Sequence, residues 1–383
     1  MTKRSRARGA QAMTTLGIIV VGAAILLYFF KPDLFAQLTG QAPAPTPVGQ
    51  LPSSPANTGS QSIQVFFTTP KFPDNAADHH GGIDVHLTDF INTAQTSLDM
   101  AIYQFDLAGA TQALLDAKQR GVTIRVATDI DTLEDDHENQ SFLKLKQAGI
   151  PVISGNRDGI MHNKFIVVNG QAVWMGTWNF TDDDTYRYNN VGLLIQSAEL
   201  AHNYTAEFEK MFVDKNFGNR KQTRAVQHEL TIDGLHVENY FTPADNATSS
   251  IVTRLKQAKT SIHFLAFSFT EDSIGQAVID RSKAGVEVRG VFENTGSDTR
   301  FSEFGRMKRA GLDVLQDGNP YLMHHKIFIL DGQTVIVGSF NFSDNAQNQN
   351  DENLIIVDSP ALAQTFEAEF LRVYAIAQNP PNK

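Results

Sequence analysis

A chain of 383 residues, 42% of them hydrophobic, is long enough to bury one or two substantial cores. The absence of cysteine excludes disulfides, thiolate nucleophiles and every Cys-ligated metal or iron–sulfur centre at once. The net charge is −10, but residues 1–40 carry five basic residues and one acid, so the remainder carries −14, a poor electrostatic match for a long polyanion such as DNA.

In chain order, the first feature is an uncharged apolar run over residues 12–30, preceded by Lys3, Arg4, Arg6 and Arg8. Its length predicts one N-terminal transmembrane helix over 12–30 behind a basic segment, 1–11. No Lys or Arg occurs between Lys31 and Lys71, so the positive-inside bias predicts a single-pass cell-membrane protein with a cytoplasmic N-terminus and an extracytoplasmic body. Cleavage near Ala36 or Ala42 would instead secrete the body. Residues 31–61 read as a linker, because the stretch 40–62 holds five prolines and no charge and can form no core.

Beyond the linker, strand-like and helix-like patterns alternate. A strand is predicted at 63–69, a helix at 83–95, a strand at 97–105, a helix at 108–120, a strand at 123–129, a helix at 141–149 and a short strand at 151–154. The same order returns between 248 and 316. Matching segments hold a fixed offset: 164 between Arg120-Gly121-Val122 and Ala284-Gly285-Val286, and 162 between Ala206-Glu207-Phe208 and Ala368-Glu369-Phe370. One two-residue length change therefore separates two copies of a single unit. The chain is predicted to be α/β, with homologous halves at 62–222 and 236–376 whose crossover helices cover largely buried sheets.

The most specific repeat joins residues 161–181 to residues 323–343. The first copy holds His162-x-Lys164 and Gly176-Thr177-x-Asn179; the second holds His324-x-Lys326 and Gly338-Ser339-x-Asn341. Between these elements lie Asn169-Gly170 and Asp331-Gly332, dipeptides that favour a two-residue hairpin turn. Such a turn pairs Val168 with Gln171, Lys164 with Met175 and His162 with Thr177. It predicts that His162, Lys164, Thr177 and Asn179 share one face, as do His324, Lys326, Ser339 and Asn341, and a bulge would break this register. An imidazole, an ammonium, a hydroxyl and a carboxamide together suit a phosphoryl group. Lysine and amide bind anionic oxygens, one histidine attacks phosphorus, and a second protonates the leaving oxygen and then activates water. One copy alone supplies half of that mechanism.

These residues resemble the phospholipase D superfamily, whose signature is His-x-Lys-x4-Asp followed by Gly-[Ser/Thr]-x-Asn. The second copy fits throughout, with Asp331, whereas the first has Asn169 at the Asp position. The turn accounts for that departure, since Asn tolerates positive φ at least as well. The resemblance spans about 62–376. It implies two homologous α-β-α sandwich lobes with pseudo-twofold symmetry behind the N-terminal helix, a metal-independent site at their junction, no cofactor, and a phosphohistidine intermediate. Lys164, Lys326, Asn179, Asn341, Thr177 and Ser339 would hold the phosphate. The family often carries a Glu that pairs with a motif histidine, and here the 162 offset sets Glu352 of the second copy against Asn190 of the first. That predicts a carboxylate partner for His324, a neutral one for His162, His162 as nucleophile and His324 as general acid.

Other clusters carry less. His79, His80 and His86 lack a metal-ligand pattern, and Glu134, Asp135, Asp136 and Glu138 read as a solvated loop. Asp182, Asp183 and Asp184 follow the first Asn element and rim the site without an assigned role. Trp178, Phe180, Phe340 and Phe342 read as core. The predicted function is a phospholipase D-type phosphodiesterase acting on phospholipid at a membrane, complete as a monomer. The alternatives are an endonuclease, a cardiolipin-synthase-like phosphatidyltransferase and a non-catalytic phosphate- or lipid-binding protein.

Overall fold

The alternation of buried apolar strands with amphipathic helices sets the architecture of the computed structural model, which describes residues 58–218 and 224–381. The predicted basic segment, the transmembrane helix and the linker up to residue 57 lie outside the described residues. Among the described residues no helix is long and apolar enough to cross a membrane. The predicted cell-membrane location with an extracytoplasmic body is corrected on that finding and is not carried further.

The strands of the first half are β1 (Ile63–Phe67), β2 (Ser97–Ile102), β3 (Thr123–Asp129), β4 (Val152–Gly155), β5 (Lys164–Val168), β6 (Ala172–Gly176), β7 (Tyr188–Asn189) and β8 (Val191–Gln196). Those of the second are β9 (Glu229–Ile232), β10 (Leu235–Thr242), β11 (Ser261–Ala266), β12 (Glu287–Phe292), β13 (Asp313–Gln316), β14 (Leu322–Met323), β15 (Lys326–Leu330), β16 (Thr334–Gly338) and β17 (Glu352–Asp358). They form a seven-stranded sheet, β1-β8-β6-β5-β2-β3-β4, and an eight-stranded sheet, β13-β12-β11-β15-β16-β17-β10-β9. The orders correspond strand for strand, with β9 as the addition. A third, two-stranded sheet pairs β14 with β7 in parallel and so joins the halves.

The helices follow their apolar spacing. In the helix Ile83–Asn92 the buried residues are Ile83, Leu87, Phe90 and Ile91, one face of a 3.6-residue repeat. The helix Ala198–Phe212 is started by the Ser197 side chain, which accepts from Leu200 N, and the helix Pro360–Gln378 by Ser359, which accepts from Leu362 N. These two long helices pack on the faces of the sheets that meet in the interior. Tyr204, Phe208, Phe366 and Phe370 belong to one apolar cluster with Phe165, Met175, Ile327 and Val337. The shared core is therefore built from both halves. The outer faces are covered separately, by residues such as Leu87, Leu114 and Phe142 in the first half and Ile251, Val278 and Met307 in the second.

The hairpins depart from the predicted register. Asn169 and Gly170 both have positive φ, at 54° and 62°, as do Asp331 and Gly332 at 55° and 61°. Gln171 N donates to Val168 O and Gln333 N to Leu330 O, closing the turns as predicted. Ladder pairing nevertheless begins at Val168–Ala172 and Leu330–Thr334, so Gln171 and Gln333 are bulged extra residues. The predicted pairing of Lys164 with Met175 is corrected by one position: Met175 faces Phe165. A further bend follows at Gly176, whose φ is +156°. A Cβ there would lie 2.1 Å from Val191 O, and one on Gly338 would lie 2.2 Å from Asn353 O. Both glycines let the chain approach the neighbouring strand closely before Thr177 and Ser339, which rejoin it through Thr177 N to Val191 O and Ser339 N to Asn353 O. Asn169 substitutes for the motif Asp without losing a contact type. Its Oδ1 accepts from Gln95 N, Thr96 N and Thr96 Oγ1, while Asp331 Oδ1 accepts from Thr260 N, Thr260 Oγ1 and Ser261 N.

Gly338→Ala is expected to lower stability by roughly 1–3 kcal/mol through backbone displacement. A urea midpoint equal to that of the unsubstituted chain would show that the strand can yield there at no cost.

Candidate active site

Each motif histidine enters the site through backbone pairing with the opposite half. Met161 bridges Asp351 in parallel, and Met323 pairs with Asn189 in the equivalent β14–β7 contact. His162 N donates to Asp351 O at 2.9 Å, and His324 N donates to Asn189 O at 2.9 Å. The side chains repeat the exchange. His162 Nδ1 lies 2.7 Å from Glu352 Oε2, while His324 Nδ1 lies 3.0 Å from Asn190 Oδ1 and 3.3 Å from Asp184 Oδ1. The predicted partner assignment is thus reversed: Glu352 serves His162, and Asn190 serves His324. The offset located both partners, but each crosses the junction to the other copy's histidine.

Asp184 is the residue that the sequence left without a role. It sits in the short helix Asp182–Tyr186, buried, and accepts from Asn179 N at 3.1 Å and Asn190 Nδ2 at 3.0 Å. Its counterpart at the 162 offset is Ala346, so the first half places its carboxylate one element earlier than the second half places Glu352. Both histidines consequently have an acid nearby. Because a carboxylate or an amide oxygen only accepts, each Nδ1 carries the proton, which leaves each Nε2 as the unprotonated nitrogen. Among the described residues neither Nε2 has a hydrogen-bond partner.

The lysines lie beneath the imidazoles. Lys164 Nζ donates to His162 O at 2.9 Å and Lys326 Nζ to His324 O at 2.8 Å, and both side chains are wholly buried. Aromatic rings wall each pair: Tyr103 meets His162 edge-on at 5.5 Å and Phe267 meets His324 at 4.8 Å, with Lys164 and Lys326 over the same rings. Tyr103 and Phe267 are equivalent at the 164 offset, a signal that the sequence reading did not use.

Thr177 and Ser339, predicted to contact phosphate, are fully buried and engaged elsewhere. Thr177 Oγ1 donates to Asn190 Oδ1 at 2.9 Å and so braces the partner of His324, and Ser339 Oγ accepts from Asn353 N at 3.0 Å. Asn179 lies against Asp184, and among the described residues Asn179 and Asn341 each have a buried carboxamide oxygen with no hydrogen-bond partner. Behind Glu352, Asp351 accepts from Lys210 Nζ at 3.3 Å and Gly218 N at 2.8 Å, so a lysine of the first half anchors the segment that carries Glu352.

The remaining sequence candidates lie apart from this cluster. His79 is held between Asp74 and Asp182 at 2.8 and 2.7 Å, and His86 stacks on Phe66. His80 and residues 135–138 lie in exposed loop positions, and Glu134 is exposed at the end of the short helix Ile130–Glu134. Trp178, Phe180, Phe340 and Phe342 are core residues.

Burial pushes His162 down to about 4 against the opposing pull of Glu352, with Lys164 and Lys326 adding to the depression. Burial likewise pushes His324 down to about 3, helped by Lys326 and Lys164 and opposed by Asp184. Lys164 falls to about 8 through burial, and Lys326 falls well below the ordinary lysine range through burial and the neighbouring charge of Lys164. Burial raises the Glu352 and Asp184 carboxyls, but the adjoining histidines and Lys164 outweigh it and leave both below their ordinary values. Each histidine feels the lysine of the other half, so the two copies form one shared site.

The family model described as "Cardiolipin synthase, PLD-like domain" matches residues 87–212 and 251–374. The chain belongs to the phospholipase D superfamily. It is 30% identical over 158 residues to a phospholipase D of Rickettsia conorii, covering 38% of this chain and 79% of that one. It is 31% identical over 139 residues to a mitochondrial cardiolipin hydrolase of Chlamydomonas reinhardtii, covering 36% of this chain and 61% of that one. The fold is shared with the solved phosphatidylserine synthase of Haemophilus influenzae Rd KW20, at 14% identity and a TM-score of 0.62, covering 76% of this chain and 84% of that one.

Both imidazoles titrate below the ordinary value of 6.5 in the folded chain, to about 4 and about 3. The stability they contribute is therefore complete above pH 6.5 and is lost as pH falls toward those folded values. Urea unfolding at stepped pH is expected to show this loss, and His324→Asn to make the slope between about pH 6.5 and 4 shallower by about one proton. Stability unchanged from pH 7 to 5 would contradict neutral buried imidazoles.

Proposed function

We propose that this protein hydrolyses phosphodiesters through a phosphohistidine, with phospholipid as substrate. The observation that carries the reading is the convergence of two imidazoles, each fixed at Nδ1 and open at Nε2, upon two buried lysines. The half-sites come from lobes that we bound at 62–222 and 236–376.

His162 acts as the nucleophile. Its Nδ1–H donates to the Glu352 carboxylate, which fixes the tautomer, raises the basicity of Nε2 and stabilises positive charge as the nitrogen–phosphorus bond forms. The phosphate oxygens are held by Lys164 and Lys326 with the amides of Asn179 and Asn341. His324, protonated once the anion is bound beside it, gives its Nε2 proton to the departing alkoxide oxygen. Neutral again, it takes a proton from water, whose oxygen attacks phosphorus and breaks the nitrogen–phosphorus bond, releasing the phosphate monoester and restoring His162. The nucleophile assignment is the one predicted from sequence, on a different ground: the carboxylate belongs to the nucleophile's own Nδ1.

Phospholipid as substrate rests on the named activities of the Rickettsia and Chlamydomonas relatives and on the acidity of the body. The full chain assayed with phosphatidylcholine, phosphatidylglycerol, cardiolipin and single- and double-stranded DNA is expected to turn over lipid, with no loss on adding chelator. His162→Asn or His324→Asn should lower the rate by about 10²–10⁴-fold. Cleavage of DNA alone would overturn the substrate, and loss of turnover with chelator would overturn the mechanism.

A further inference from the structure

At the turn end of the second hairpin, one strand length from Lys326, the surface opens into a groove of ≈ 1050 Å³. Arg254, Lys256, Lys259 and Arg281 line it, against the carboxylates of Asp331 and Asp358. Both carboxylates are already committed. Asp331 accepts from the backbone N–H groups of Lys259, Thr260 and Ser261. Asp358 accepts from Arg254, His236 and Thr334. Arg254 is shared between Asp358 and Glu238. Among the described residues Lys256, Lys259 and Arg281 have no ion-pair partner, and Arg281 Nε is buried with no acceptor. A buried donor without an acceptor costs stability unless water or a ligand supplies the oxygen.

The fold does not require these charges. At the 164 offset the first half carries Phe90, Asn92, Gln95 and Ala117 in place of Arg254, Lys256, Lys259 and Arg281. A cationic groove is thus an addition to one half of an otherwise strongly acidic body.

We propose that this groove is a second anion site, separate from the histidine site, that binds the phosphate group of a small anion or of a lipid headgroup. The planar fork of Arg281 would give directed hydrogen bonds to phosphate oxygens, and Lys256 and Lys259 would add point charge at the rim. The proposal does not depend on the reaction assigned to the histidines.

Inorganic phosphate binding to the full chain should titrate as two classes of site. Lys256→Gln/Lys259→Gln/Arg281→Gln should remove one class while hydrolysis of a soluble phosphodiester stays at its original rate. Lys164→Gln/Lys326→Gln should remove the other. Phosphatidylcholine vesicles with and without phosphatidylglycerol distinguish the sources. Adhesion to the anionic vesicles that falls at least about tenfold in the triple variant assigns the groove to headgroups, whereas loss of inorganic phosphate binding alone assigns it to a small anion. Arg281→Gln, and the Lys256→Gln/Lys259→Gln pair at the exposed rim, tested separately, keep the result readable if the triple variant is unstable. Two phosphate classes retained in the triple variant would overturn the proposal. So would a single class abolished by the Lys164/Lys326 substitutions, or a groove-dependent affinity confined to single-stranded oligonucleotide.

Discussion

Each motif histidine takes its backbone pairing and its Nδ1 partner from the opposite half of the chain. His162 rests on Asp351 and Glu352, and His324 rests on Asn189, Asn190 and Asp184. Neither half can set its own histidine. A buried imidazole rotates freely unless Nδ1 is fixed, and a buried carboxylate is costly unless it is fully bonded. Exchange across the junction meets both needs, because the acid fixes the imidazole while the imidazole and nearby donors satisfy the acid: Asn350 Nδ2 for Glu352, and Asn179 N, Asn190 Nδ2 and Thr181 Oγ1 for Asp184. The shared interior around Tyr204, Phe208, Phe366 and Phe370 then has a functional meaning: it holds the halves close enough for hydrogen bonds of about 3 Å to form.

Much of this was legible in the sequence, and the reasons for the misses are physical. The duplicated pattern marked two equivalent segments, and the structure pairs each of them with the opposite half. The turn dipeptides correctly placed positive φ at Asn169 and Asp331. They could not reveal the bulges at Gln171 and Gln333, since an Asn-Gly or Asp-Gly turn is compatible with either register. The exchanged partners were hidden for another reason. Offset arithmetic compares a residue with its own counterpart, whereas His162 and Glu352 are 190 positions apart and meet only when the halves dock. Asp184 against Ala346 was visible as a difference between the copies, and the local mark that singles it out of three consecutive aspartates, the Thr181 cap three residues before it, was not used.

Duplication also explains how one fold carries two chemically distinct histidines. In the proposed mechanism the common residues His, Lys and Asn supply phosphate binding and reactive nitrogen twice. The differing residues sit one step back, where Glu352 contacts its histidine directly and Asp184 shares His324 with the neutral Asn190. Divergence is free to act there because it alters proton affinity without disturbing the strand ends that present the imidazoles. The same freedom is visible at the far end of the second sheet, where one copy has gathered Arg254, Lys256, Lys259 and Arg281 and the other has only Arg120, bonded to Asn92 O and Ala94 O, at the equivalent place.

The division of labour between the exchanged partners can be measured by single-turnover reaction with a p-nitrophenyl phosphodiester, whose leaving group needs no proton. The account predicts that Glu352→Gln slows the burst of nitrophenol by about 10²-fold or more, whereas Asp184→Asn leaves the burst intact, slows the following step and lets the phosphohistidine accumulate. An unchanged burst in Glu352→Gln, or a burst abolished only by Asp184→Asn, would contradict it.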